Sequence, residues 1–205
     1  MKAGRRHHAL LLATLVWSAA QADTFLRDDL ILQPTPEMLS VCHGNTCRLV
    51  AFVSLEQEQW RAIRELFDPP ADSAETERGQ IWVAIARMES FIGPKTGTGH
   101  DLGGVEHPFA SGDDQMDCID ESTNTSLYIT LFQNAGLLRF HQVDDRATRG
   151  YFFRGWPHTT AVMLEIETGK LWAVDSWFFD NGVPPAIVPL EEWEAGWKPP
   201  RPDQD

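Results

Sequence analysis

HTTAVMLEIETGKLWAVD, residues 158–175, reads as two β-strands folded back on each other. Thr159 to Ile166 and Lys170 to Trp177 are rich in β-branched and aromatic residues, and Glu167-Thr168-Gly169 between them forms a tight turn. His158 and Asp175 lie about eight and nine residues from the turn centre, so an antiparallel hairpin brings them nearly opposite each other. An imidazole beside a carboxylate at the ends of two adjacent strands is the base-and-orienter half of a nucleophilic site.

The other half stands 40 residues upstream. Cys118 lies in Asp117-Cys118-Ile119-Asp120-Glu121-Ser122, at the start of a predicted helix running to about Ala135. Ile119, Leu127, Leu131 and Phe132 recur on one side of that helix, and Gly136 ends it. Each residue alone has a plainer reading: Cys118 as a buried inert thiol, His158 as a polar residue after Pro157, and Asp175 as a strand-end turn residue. Taken together they point to nucleophile, base and orienter.

Outward from this centre, Cys47 to Val53 reads as a strand, and Ser54-Leu55-Glu56-Gln57 as a capping-box start to a helix ending before Pro69-Pro70. A second helix starts near Ser73 and carries Ile81, Trp82, Ile85, Met88 and Phe91 to a stop at Gly93-Pro94. Residues 93–116 form a Gly-rich loop just before Cys118, placed to wall a cleft. Leu138 to Val143 alternates as a strand. The chain from Asn181 onward reads as Pro-rich irregular structure with a short Leu190–Trp197 segment.

The order of Cys118, His158 on a strand and Asp175 at the end of the next resembles the transglutaminase-like superfamily of papain-type folds. It is similar in particular to the bacterial transglutaminase-like cysteine proteinases of the periplasm. Asp117-Cys118-Ile119-Asp120, His158-Thr159-Thr160-Ala161-Val162 and Trp172-Ala173-Val174-Asp175-Ser176 carry the likeness, which spans about residues 75–180. The resemblance implies an α+β fold with a papain-like or transglutaminase-like core, its nucleophile helix packed on an antiparallel sheet. It implies Cys118 as nucleophile, His158 as base and Asp175 as orienter in acyl transfer from a peptide or isopeptide amide. Either hydrolysis or transamidation fits, on a peptide or protein substrate and without a cofactor.

Gln115, three residues before the nucleophile, is a candidate oxyanion donor beside the Cys118 backbone N–H. Asp113, Asp114, Asp117, Asp120 and Glu121 crowd the thiol and oppose its ionisation. Asp113, Asp114 and Asp117 are also calcium candidates, although EF-hand spacing is missing and a solvated acidic loop is the simpler reading. His100, Asp101 and His107 are the corresponding transition-metal candidates. A non-catalytic binding or assembly module on the same scaffold, with calcium in the acidic loop, is the alternative from another class.

The ends of the chain bear on location. Residues 1–22 read as a signal peptide: Lys2, Arg5 and Arg6, then ALLLATLVWSAA (9–20), then Ala20-Gln21-Ala22 with a cut after Ala22. The apolar run is shorter than a membrane span, so the expectation is a periplasmic or secreted protein with no stable span after cleavage. The expected mature chain, 23–205, is a single domain. Without its three leading cations, the 17 basic residues become 14 against 30 acidic ones, a net charge of −16. Such a balance disfavours nucleic acid and anionic membrane surfaces as partners. In an oxidising compartment Cys42 and Cys47, flanking a Gly44-Asn45 turn, are expected to form a disulfide, leaving Cys118 as the free thiol.

Overall fold

In chain order the elements are β1 (Leu39–His43), β2 (Leu49–Val53), α1 (Gln57–Glu65), α2 (Ala74–Thr96) and α3 (Cys118–Asn134), followed by β3 (His141–Arg149), β4 (His158–Glu165), β5 (Leu171–Asp175), β6 (Ala186–Pro189) and α4 (Leu190–Glu194). They belong to a computed structural model that describes residues 27–105, 112–150 and 157–200. The expected signal peptide and His107 lie outside the described residues. The class is α+β: β1 and β2 form a hairpin, and β3-β4-β5-β6 form an antiparallel sheet in sequence order. No helix among the described residues is long and apolar enough to cross a membrane.

The β4–β5 hairpin turns where its sequence says it should, with Leu164 paired to Leu171 and Ala161 to Val174. Carrying that register one step further sets Thr160, not His158, across from Asp175. His158 and Asp175 are therefore diagonal neighbours on one face, a backbone separation of about 7–8 Å that two medium-length side chains span readily. On the other side of β4, Arg149 pairs with His158, while β3 bulges between Asp144 and Ala147.

Two strand readings are corrected by the fold. β3 begins at His141 and runs on to Arg149, because Glu77 claims the chain before it. The fully buried Glu77 carboxylate accepts from the N–H groups of Arg139 (2.6 Å), Phe140 (3.0 Å) and His141 (2.8 Å), and from His141 Nδ1 (2.9 Å). The stretch after Asn181 is not irregular throughout, for Ala186–Pro189 adds an edge strand to β5. Prolines hide such a strand from pattern reading, yet an edge needs no donor on its outer side.

Helix boundaries shift for equally local reasons. Leu55 is buried with its N–H on Pro36 O (2.7 Å), which holds Ser54-Leu55 extended. The cap is instead Glu56, whose N–H is taken by Gln59 Oε1 (2.9 Å). α2 continues through Gly93-Pro94 and stops at Gly97, where φ is 84°. Gly93 serves close packing rather than termination: a Cβ there would lie 2.8 Å from Gly99 Cα. The buried stripe of α2 is Ile81, Ile85, Met88 and Ile92, and Trp82 faces solvent at 44 % exposure.

α3 packs against β3 and β4 on one side and β1 on the other. Its C-terminal half buries Tyr128, Ile129, Leu131 and Phe132 in the main core with Leu39, Ile63 and Met163. Its first two turns are just as buried but polar, from Asp120 to Thr125. Burial of polar groups is costly unless each is satisfied, so this end of the helix marks where structure serves more than packing.

Candidate active site

Asp117 fixes the start of α3 and makes Cys118 its first helical residue. Asp117 Oδ1 accepts from the N–H groups of Ile119 (3.0 Å) and Asp120 (3.1 Å), while Asp120 Oδ2 accepts from Asp117 N–H (3.2 Å). This reciprocal cap satisfies the orphan donors of the first turn. The same carboxylates also reach the β1–β2 turn. Asp120 accepts from Asn45 N–H (2.8 Å) and Cys47 N–H (2.7 Å), and Asp117 Oδ2 from Thr46 N–H (2.9 Å).

Those three turn residues have left-handed φ values of 69°, 53° and 53°, which non-glycine residues hold only when the surroundings impose them. The two carboxylates and the Cys42–Cys47 disulfide impose them here. Asn124 of α3 adds a two-way clasp on Cys42, accepting its N–H (2.7 Å) and donating to its carbonyl (2.9 Å). The acids nearest the thiol in sequence thus anchor the helix start and the disulfide turn. Burial, reinforced by the Asp117 charge, pushes the Asp120 carboxyl up to about 7.

Across the site, His158 Nε2 lies 2.7 Å from Asp175 Oδ2, both side chains almost fully buried. The same oxygen accepts from Trp193 Nε1 at 2.6 Å. Trp177, Phe178 and Trp193 surround the imidazole, with ring centroids at 4.5, 5.3 and 5.4 Å. Aromatic walls and a carboxylate fix the ring plane, and with Nε2 engaged, Nδ1 is the nitrogen left for proton exchange.

Cys118 is the free cysteine and is partly exposed. Burial pushes its thiol up to about 11; the Thr159 backbone works against that rise, and the Asp117 and Asp175 charges add to it. The group therefore rests as a neutral thiol, and any attack needs a base to take its proton. The start of β4 brings Thr159 to the thiol, and Thr159 follows His158 directly.

The remaining candidates are placed as follows. Gln115 spends its amide on the preceding loop, with Nε2 donating to His100 O (3.2 Å) and Oε1 accepting from Leu102 N–H (3.1 Å). Asp113 is exposed and pairs with Arg48, Asp114 is exposed, and Asp117 is the helix cap. The close-set potential metal ligands among the described residues are Cys42, Cys47 and Asp120, but the two sulfurs are bonded to each other and offer no thiolate.

Beneath the first turns of α3 lies a set of buried carboxyls from three segments: Glu89 of α2, Asp101 of the following loop and Glu121 of α3. Asp101 accepts from Met116 N–H (2.6 Å) and bonds Glu121, while Glu89 accepts from Gly182 N–H (2.9 Å). Burial, with repulsion from neighbouring carboxylates, raises Glu89 to about 8, Asp101 to about 7 and Glu121 well above its ordinary range. Raised carboxyls bind protons more tightly folded than unfolded, so their stabilisation is complete below the unfolded values near pH 4 and is lost as pH rises through the folded ones. The melting temperature is expected to fall by about 5 °C or more between pH 5 and 8.5, and Glu121→Gln to flatten that fall. A scanning-calorimetry series over this range checks it; a temperature that rises with pH refutes it.

Sequence reading missed two contributors: Trp193 and the Thr159 backbone. The first sits on the short LEEWE helix, where a Trp within a Pro-rich tail was the available signal. Backbone groups leave no signal of this kind. No family model matches the chain, and neither a curated protein nor a solved structure matches it.

Proposed function

We infer that this protein is an exported cysteine hydrolase or acyltransferase with a transglutaminase-like core, acting on peptide or isopeptide amides. The observation that carries the reading is the His158–Asp175 hydrogen bond at 2.7 Å, set in an aromatic enclosure beside the strand start that meets the Cys118 thiol. In this reading His158 Nδ1 takes the proton of Cys118 Sγ as sulfur attacks the amide carbon. The imidazolium then passes that proton to the departing amine, leaving a thioester. Water attacks the thioester to give an acid and regenerate the thiol, or an amine attacks to give a new amide. Asp175 holds the ring and stabilises its charged form, and Trp193 holds Asp175. The signal-peptide reading of residues 1–22 and the Cys42–Cys47 disulfide agree with a periplasmic or secreted location.

The thiol's rise to about 11 favours a second reading, a binding or assembly module on the same scaffold. Alkylation of the folded protein with iodoacetamide at pH 7 separates the two. On the enzymatic reading His158→Ala slows Cys118 labelling by about tenfold or more, because the ring no longer accepts the proton. Equal rates in the parent and the variant would leave the module reading standing.

A further inference from the structure

Arg146 is a partly buried cation that bonds the first turns of the helix carrying Cys118. It sits in the β3 bulge, where the extra residue turns it out of the strand's alternation and toward the first turns of α3. Its Nη1 donates to the Thr123 hydroxyl, to Ser122 Oγ (3.3 Å) and to Ile119 O (3.5 Å), whereas Nε and Nη2 have no hydrogen bond to the described residues. Arg27, Arg48, Arg61 and Arg78 each pair with an acid, and Arg149 lies on the Trp193 ring at 4.2 Å. Arg146 forms no ion pair with a carboxylate among the described residues; burial works against its charge, and a thiolate formed at Cys118 would favour it.

A half-buried guanidinium without an anion is costly, and its planar fork suits two carboxylate oxygens at once. We propose that Arg146 is the anion-recognition residue of the Cys118 site, its free Nε and Nη2 receiving a carboxylate of the acyl substrate close to the amide that is attacked. The substrate class is then a peptide or isopeptide amide with an acidic side chain or a free terminal carboxylate next to the scissile bond. Against a chain of net charge −13, this cation makes the site locally receptive to an anion. The proposal rests on Cys118 being the nucleophile.

Two alkylating agents with the same reactive carbon and leaving group test it: iodoacetate, which carries a carboxylate, and iodoacetamide, which does not. With Cys42 and Cys47 bonded, Cys118 is the thiol that labels. The iodoacetate-to-iodoacetamide rate ratio at low ionic strength is expected to exceed that of N-acetylcysteine by about tenfold. In Arg146→Gln the ratio falls severalfold, and in Arg146→Lys it is partly kept. No excess preference in the parent protein, an unchanged ratio in Arg146→Gln, or both rates falling by one factor overturns the proposal. The parent ratio and the Lys variant decide the matter should the Gln variant not fold. His158→Ala supplies the separate control: if neither rate responds to it, the triad reading fails whatever the ratio does.

Discussion

Asp175→Asn is expected to slow Cys118 alkylation at pH 7, and any thioester-forming turnover, by about 10²- to 10⁴-fold. The same Oδ2 accepts from His158 Nε2 at 2.7 Å and from Trp193 Nε1 at 2.6 Å. An Asn side chain has one acceptor oxygen and no charge. If its amide nitrogen faces the ring, the imidazole is forced into the wrong tautomer; if its oxygen does, the imidazolium still loses its counter-charge. The sign of the change is as informative as its size. Asp175 also raises the Cys118 thiol by like-charge repulsion, so removing that charge lowers the thiol's pKa. An inert cysteine would then label faster in Asp175→Asn, whereas a nucleophile that depends on His158 labels more slowly. Alkylation kinetics with native circular dichroism as a fold control check this, and an accelerated variant would remove Asp175 from any catalytic role.

The largest expected loss of stability comes from Glu77→Ala, remote from that site. Its carboxylate, with no exposed surface, serves three backbone N–H groups and His141 Nδ1. Truncation leaves those donors buried without an acceptor, at about 1–3 kcal/mol each before relaxation. A net loss of roughly 3–5 kcal/mol is expected, which lowers the melting temperature by about 10 °C or more. Burial works to raise the Glu77 carboxyl, but His141 and the backbone donors outweigh it and hold it below the usual range. Its stabilisation is present above the unfolded value and lost as pH falls through the folded one, so its pH dependence is confined to below about pH 4.5. The buried Glu89–Asp101–Glu121 set acts with the opposite sign above that, and together they place the stability maximum near pH 5. Thermal unfolding of Glu77→Ala within about 2 °C of the parent would refute this account of the anchor.

The residues that announce themselves in sequence are those whose local pattern decides their structure. Glu167-Thr168-Gly169 dictated a turn, Gly44-Asn45 marked the disulfide hairpin, and Asp117 before Cys118 marked a helix start. Where a distant group decides, the pattern misleads. Glu77, more than sixty residues away, delays β3, and Pro36 keeps Ser54-Leu55 extended. At the site the imidazole–carboxylate pair was legible from hairpin arithmetic, although the true register makes it diagonal. Trp193 and Arg146 were not, because one is delivered by an edge strand bracketed by prolines and the other by a bulge. Both devices break the period-two rule that strand reading depends on.

The doubled duty of Asp117 and Asp120 has a consequence for how this end of the molecule comes undone. Three consecutive left-handed residues cost on the order of 1–3 kcal/mol each, and they persist because two carboxylates and a short covalent ring hold them. Fraying the first turn of α3 would release the turn, and relaxing the turn would strip acceptors from the helix cap. The two segments are therefore one cooperative opening unit, and the position of Cys118 is only as firm as the crosslink between Cys42 and Cys47.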